Sequence, residues 1–271
     1  METYRPSGRT RALIWPSTLL AVFAVVLVAW LYQAAMRGVV GFDLRGAFVV
    51  PLLYGGALGF VAHLAVVHGH CRSARAALLA SLAIALVGWA ASFYWDYWHH
   101  DLADVSFGEF LSLKKASGWK SSSSRWDGGW VVFFWTMEAL LVIPLAAAIG
   151  RAAAGQPYCE DCGRWTRKLT LELRGVGRDE AQPALAAGDL CALVELRGAS
   201  DATLAIDAEI CPGCGSIGWL SATEKRVVVQ GKRTVQGQAR LLSGALMSRD
   251  ACIAFLDRRR ASIGQKLKPL S

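Results

Sequence analysis

Residues 21–31 read Ala21-Val-Phe-Ala-Val-Val-Leu-Val-Ala-Trp-Leu31, and no position in that run offers water a charged or hydroxyl side chain. A helix that is apolar all round belongs in a large core or in a membrane. Working outward, the 25 residues from Ala12 to Met36 contain no Asp, Glu, Lys or Arg. Another 26 uncharged residues separate Arg45 from Arg72, and 20 more separate Arg75 from Asp96. The 23 residues from Gly128 to Gly150 carry one charge, Glu138. A helix of about 20 apolar residues crosses the roughly 30 Å of bilayer hydrocarbon. Soluble-core helices are typically about 8–20 residues long and keep a polar face. The spacing therefore predicts four transmembrane helices, about 13–35, 47–69, 76–95 and 129–150, in a membrane domain 13–150 behind a basic leader 1–12.

Composition agrees. Of 271 residues 54% are hydrophobic and 18% charged, with mean hydropathy +0.34. Soluble domains carry about a quarter charged residues, so a disordered chain and an ordinary soluble enzyme are both disfavoured. The first span has the basic start of a signal peptide (Arg5, Arg9, Arg11), and Ala34-Ala35 is a weak cleavage site. Its apolar run far exceeds the usual 7–15 residues, so it reads as a retained anchor.

Loop charges nearly tie between the two membrane faces. The segment after Gly150 breaks the tie with 18 basic against 13 acidic residues, placing it inside by the positive-inside rule. Reduced thiols for a Cys-x-x-Cys metal site point the same way. Trp30, Tyr32, Tyr94, Trp95, Tyr97, Trp98, Trp126 and Trp130 would form one interfacial belt under that alternation. The expected location is a bacterial inner membrane, multi-pass, with both termini cytoplasmic.

The external loop 96–128 reads as a short amphipathic helix around Phe107–Trp119, then a flexible Ser121–Ser124 link and Asp127-Gly128-Gly129. Beyond Gly150 the pattern changes. Leu169–Leu173, Thr203–Ile210 and Lys225–Gln230 alternate as half-buried strands do, and Gln182–Leu196 reads as one helix despite Gly188. Ser248 is placed to cap a last helix through Phe255 to Arg260. The fold class expected is a four-helix membrane bundle followed by a small α+β zinc-ribbon domain, 151–235, with a C-terminal helix and basic tail over 236–271.

One motif carries chemistry. Cys159-Glu-Asp-Cys162 and Cys211-Pro-Gly-Cys214 are two Cys-x-x-Cys pairs with 48 residues between them. A two-residue gap lets both sulfurs of a turn reach one ion, and two such turns complete a tetrahedron for structural Zn²⁺, one per chain. Gly163 and Gly215 follow the pairs, where a turn calls for positive φ. The separation exceeds the usual 15–20 residues, so residues 164–210 are an insert between the knuckles. A redox pair lacks its thioredoxin-like βαβ context, unliganded thiols remain the plain alternative, and four thiolates also suit iron. Cys191 and Cys252 read as small core side chains.

Inside the membrane, Glu138 must be neutral or paired; it reads as a helix–helix clamp or as a proton, ion or ligand site. His63, in the second span, is its candidate companion. His68–Cys71 with His70, and His99–His100 with Asp101 and Asp104, are weaker metal candidates. Gly55 and Gly59 form a Gly-x-x-x-Gly that permits close helix packing. No nucleophile elbow, phosphate loop, dinucleotide fingerprint or kinase signature is present.

The order Trp135-Thr-Met-Glu138-Ala, then Pro157-Tyr-Cys159-Glu160-Asp-Cys162-Gly-Arg-Trp165, then Cys211-Pro-Gly-Cys214 resembles a group of uncharacterised bacterial multi-span inner-membrane proteins. These carry a C-terminal cytoplasmic zinc ribbon split by a long insert. The resemblance covers residues 47–220, with Cys71-Arg-Ser-Ala-Arg fitting loosely. It implies architecture and location and no activity; Glu160 and Trp165 beside the first knuckle become candidates for a partner surface.

The leading expectation is therefore a non-enzymatic membrane protein whose partners are the lipid bilayer and a cytoplasmic protein, or a second copy of itself. The alternative is a transporter, channel or lipid-handling protein built on Glu138 and His63. An enzyme would need metal beyond the four cysteines. Nucleic acid is disfavoured because Arg258–Arg260, Lys266 and Lys268 cluster away from the knuckles, where attraction to anionic lipid accounts for them.

Overall fold

The computed structural model describes residues 6–38, 44–100, 104–120, 125–126, 128–215, 218–230 and 233–266. Arg5, Asp101, the Ser121–Ser124 run, Asp127 and Lys268 lie outside the described residues. The chain forms two compact units dividing between Gly155 and Gln156, and each is taken by itself.

The first unit holds α1 (Ile14–Gly38), α2 (Leu44–His68), α3 (Ala74–His99), α4 (Phe107–Ser117), a minimal hairpin of β1 (Trp119–Lys120) and β2 (Arg125–Trp126), and α5 (Gly128–Ala153). The spans Ile14–Arg37, Phe48–His68, Ala74–His99 and Gly128–Ala153 are long and apolar enough to cross a membrane, as the uncharged stretches predict. They pack in a ring, α1 on α2, α2 on α5, α5 on α3 and α3 on α1. The ring is apolar on its outside: Leu20, Phe23, Leu53 and Leu79 are each 68–70% exposed. An apolar exterior of that extent is matched to lipid rather than water.

Small residues form the inside. On α1 the buried stripe is Ala21, Val25, Ala29 and Tyr32, at helical spacing. Gly55 and Gly59 let α2 lie directly on α5, because a Cβ at Gly55 would stand 3.0 Å from the Val142 Cα and one at Gly59 2.6 Å from Ile149 Cδ1. This is the close packing expected of Gly-x-x-x-Gly. The aromatic belt is thinner than the sequence implies. Trp30, Tyr94, Trp98 and Trp130 are exposed, but Tyr32 is buried and the Trp95 indole donates to the Val26 carbonyl at 3.0 Å. An aromatic with a hydrogen-bonding tip is equally suited to a buried helix contact when a partner waits there. The amphipathic helix in the 96–128 loop is α4, started by a capping box in which Ser106 and Glu109 bond each other's backbone.

The second unit is built from β3 (Tyr158–Cys159), β4 (Arg164–Trp165), β5 (Arg167–Arg174), α6 (Arg178–Ala187), α7 (Leu190–Glu195), β6 (Ala202–Ile210), β7 (Gly218–Gln230), β8 (Arg233–Met247) and α8 (Arg249–Lys266). β3 and β4 pair as a small sheet, and β5 to β8 form a four-stranded antiparallel meander in chain order. Leu171, Leu173, Leu204, Ile206, Leu220 and Ala245 from the strands pack with Leu193, Val194, Cys252 and Phe255 from the helices to make its core.

Two expectations are corrected here. Gln182–Leu196 is two helices, because Gly188 adopts φ 70° as the left-handed cap of α6 and Asp189 then caps α7 through the Ala192 amide. A left-handed glycine is a standard helix stop. Residues 233–247 form β8, which runs through position 235 and in which Val235, Gly237, Ala239 and Leu241 alternate with Gln236, Gln238 and Arg240. A register shift near Ala222, with Gly244 at φ 62° donating to Ser221 Oγ, interrupts that alternation beyond Leu241. The last helix begins at the expected place, with Ser248 Oγ accepting from the Ala251 amide.

Candidate metal centre

The meander itself brings the two cysteine pairs together. Antiparallel pairing sets Arg167, at the start of β5, opposite Ile210, at the end of β6. The turn just before β5 and the turn just after β6 therefore lie at one end of the sheet, although 48 residues separate them in sequence. Cys159 ends β3 opposite Arg164, so Glu160–Gly163 make a tight turn, closed by Gly163 at φ 64°. Cys211 follows β6 directly. Its turn is closed by a 3.0 Å bond from the Gly215 amide to the Cys211 carbonyl, with Gly215 also at φ 64°. Both glycines thus meet the need for positive φ read from the sequence.

All four Sγ atoms lie within 4.8 Å of one another, and Cys159 and Cys214 are 4.0 Å apart. A thiolate tetrahedron at a metal–sulfur distance of about 2.3 Å has edges of about 3.8 Å. Four cysteines this close can hold a metal ion. The Gly213 amide donates to Cys211 Sγ at 3.3 Å. Without an ion the sulfurs oppose one another's ionisation: hydrogen bonding with Cys211 and Cys214 pushes the Cys162 thiol up to about 12. Burial, joined by Cys211 and opposed by hydrogen bonding with Cys162, raises Cys159 as well.

Around the centre the Tyr158 and Trp165 rings meet edge to face at 5.0 Å, so Trp165 is half-buried on its own hairpin while Glu160 is exposed. Thr166 fastens the hairpin to the sheet, its hydroxyl bonding the Pro157 carbonyl at 3.0 Å and Glu209 at 3.1 Å. Cys252 is fully buried in the sheet core, where burial pushes its thiol up to about 11, and Cys191 packs at the core's edge.

Among the described residues, the four cysteines are the one group of three or more potential ligands that converges. Cys71 is buried with its thiol toward the Ser73 carbonyl. His99 Nδ1 lies 2.8 Å from the Trp95 carbonyl, and His100 faces Asp96 at 3.6 Å. Among the described residues, neither histidine loop gathers a ligand set.

The intramembrane pair does not form. Gly150 of α5 packs beside Ala62 of α2, which puts His63 at the level of Gly150. Glu138 is twelve residues earlier on α5, about 18 Å along the axis. Its partner is Tyr32, whose hydroxyl donates to Glu138 Oε1 at 3.1 Å. Tyr32 stacks on Tyr54 with ring centroids 4.1 Å apart, and the Tyr54 hydroxyl donates to the Gly88 carbonyl at 2.7 Å. The chain Glu138–Tyr32–Tyr54–Gly88 thus joins all four long helices. The signal for it was the position of Tyr32 on the same helical stripe as Ala21, Val25 and Ala29.

No family model matches the chain, and no curated protein or solved structure matches it. The resemblance in motif order rests on its residues alone.

Proposed function

We propose that this chain is a bacterial inner-membrane protein that presents a zinc ribbon to the cytoplasm, where the ribbon binds a protein partner or a second copy. The observation that carries the reading is the convergence of the four Sγ atoms within 4.8 Å. Four thiolates fill every position around Zn²⁺ and leave none for water or substrate, so the ion's work is structural. It fixes the Glu160–Gly163 turn against the Cys211–Gly215 turn and so sets how Glu160 and Trp165 are displayed. Inside orientation is supported by the basic excess after Gly150 and by the need for reduced thiols.

The test is metal analysis by mass spectrometry on the full chain in detergent, beside a Cys159→Ser/Cys211→Ser variant. One zinc per chain, lost in the variant, supports the ribbon; no metal in the wild type overturns it. Crosslinking from a photoreactive residue at position 160 in intact cells then tests the partner, with a specific adduct lost in the cysteine variant as the expected result.

A second reading, a transport or ligand-handling role built on Glu138, is favoured by the bonding of that carboxyl to Tyr32 beside an open cavity.

A further inference from the structure

At the end of the bundle where α1 and α3 finish and α5 begins, the helices stand apart. A cavity of about 660 Å³ opens there, inside the 300–1,000 Å³ range of small-molecule sites. Its lining includes Glu138 with the rings of Tyr32, Phe93 and Trp135, and Phe110 of α4. Phe93 and Trp135 brace each other edge to face at 5.3 Å.

The charges around this space are not equivalent. Asp96 is satisfied by an ion pair with Lys114 and by His100 at 3.6 Å. Arg37 has an exposed side chain and lies five residues beyond Tyr32, about 7.5 Å further along α1, where water screens it. Glu138 differs from both: its bonded partner is the Tyr32 hydroxyl, no ion pair within 4.0 Å reaches it among the described residues, and Lys114, which attracts it through space, is engaged by Asp96. An acid among aromatic faces, with no cation bonded to it, has the complementarity of a cation site. The same wall already makes one such contact, with Lys114 Nζ 5.3 Å from the centre of the Phe110 ring.

We propose that this cavity binds a small organic cation, an ammonium group on an apolar body, with Glu138 as its counter-charge and the rings of Tyr32, Phe93 and Trp135 against its faces. The proposal is independent of the four-cysteine centre.

The test uses three probes of one shape on the full chain in a neutral maltoside detergent: phenyltrimethylammonium, its uncharged carbon analogue tert-butylbenzene, and benzenesulfonate. Titration calorimetry is corrected with empty micelles. Saturable binding of the ammonium is expected, at least tenfold tighter than either other probe. Glu138→Gln, which keeps an oxygen for the Tyr32 hydroxyl, should weaken the ammonium at least tenfold and leave tert-butylbenzene within about twofold. Phe93→Leu should weaken the ammonium several-fold with Glu138 intact, which keeps the test open if the first variant folds poorly. Equal binding of the neutral and cationic probes, binding of the cation unchanged by Glu138→Gln, preference for benzenesulfonate, or no saturable ammonium binding each overturns the proposal.

Discussion

Gly213 separates the metal reading from a mere clustering of thiols, and Gly213→Ala is the sharpest perturbation of it. A Cβ at that position would stand 3.0 Å from Cys162 Sγ and 3.2 Å from Cys162 Cβ. The new methyl needs several tenths of an ångström, and the second knuckle can gain them only by pushing the first away. Metal–ligand distances tolerate about 0.2 Å, so the tetrahedron must distort. Disturbing the immediate support of a ligand typically lowers metal affinity about 10–100-fold, or about 1.4–2.7 kcal/mol. Gly215→Ala is the comparator: open space surrounds that position, and its φ of 64° imposes backbone strain without a clash at sulfur. The assay is competition for zinc against a chromophoric chelator, with cobalt substitution reporting the tetrahedral thiolate shell by its visible spectrum. Gly213→Ala should lower affinity and alter the cobalt spectrum, whereas Gly215→Ala should weaken binding without altering it. An affinity and spectrum for Gly213→Ala identical to wild type would refute the reasoning, because two knuckles sharing one ion cannot absorb that methyl.

Three further outcomes are expected. In the bundle, Gly59→Ala should cost about 1–3 kcal/mol by overpacking, since its Cβ would lie 2.6 Å from Ile149 Cδ1, whereas Gly56→Ala should be nearly neutral because nothing lies within 4 Å; melting of the two variants in detergent compares them. Because the metal-free Cys162 thiol is pushed up to about 12 and Cys159 is also raised, both carry protons at neutral pH. Zinc must displace these protons, so affinity should rise with pH, about tenfold per pH unit for each proton released; a flat affinity between pH 6.5 and 7.5 contradicts this. Chelation should expose amides at 158–166 and 211–215 to hydrogen exchange while those of Leu171, Leu204 and Ile206 stay protected, and collapse of protection throughout the sheet would show a metal-dependent core.

The four spans were legible because crossing hydrocarbon forbids charge over some twenty residues, a constraint written locally. The cysteine pairs and the positive φ of Gly163 and Gly215 were legible because turn chemistry is equally local. What brings the pairs together was not, since the Arg167–Ile210 register is a long-range fact. β8 is marked by the short alternation Val235–Leu241, weakened by its glycine and alanine and cut off at the Gly244 bulge, and the α6–α7 break is masked by the strength of the flanking helical pattern over one glycine. Tyr32 was assigned to the membrane surface because its neighbour Trp30 belongs there; only the stripe through Ala21, Val25 and Ala29 shows that it turns inward. His63 and Glu138 share rarity and polarity but differ in depth by a few turns, as their positions along their own spans already indicate and the contact of Gly150 with Ala62 bears out.

The position of the metal cluster relative to the sheet core bears on what an ion there would accomplish. The core joins strands β5 to β8 with α6, α7 and α8 and includes none of the four clustered cysteines. Its buried leucines, valines and Phe255 supply the apolar burial on which a small domain depends. The β3–β4 hairpin, by contrast, has strands of two residues each, held by the Tyr158–Trp165 contact and the Thr166 bonds to Pro157 and Glu209. A hairpin that short is marginal on its own in water. A four-thiolate ion would therefore stabilise the element that most needs it, adding little to a sheet already folded by its core. The consequence would be local: an ion there would fix the orientation of the Glu160–Gly163 turn and of Trp165 in the strand after it. Fixing a turn in advance removes ordering entropy from any association that uses it, so under the proposed function a structural ion in this place would serve recognition more than the stability of the fold.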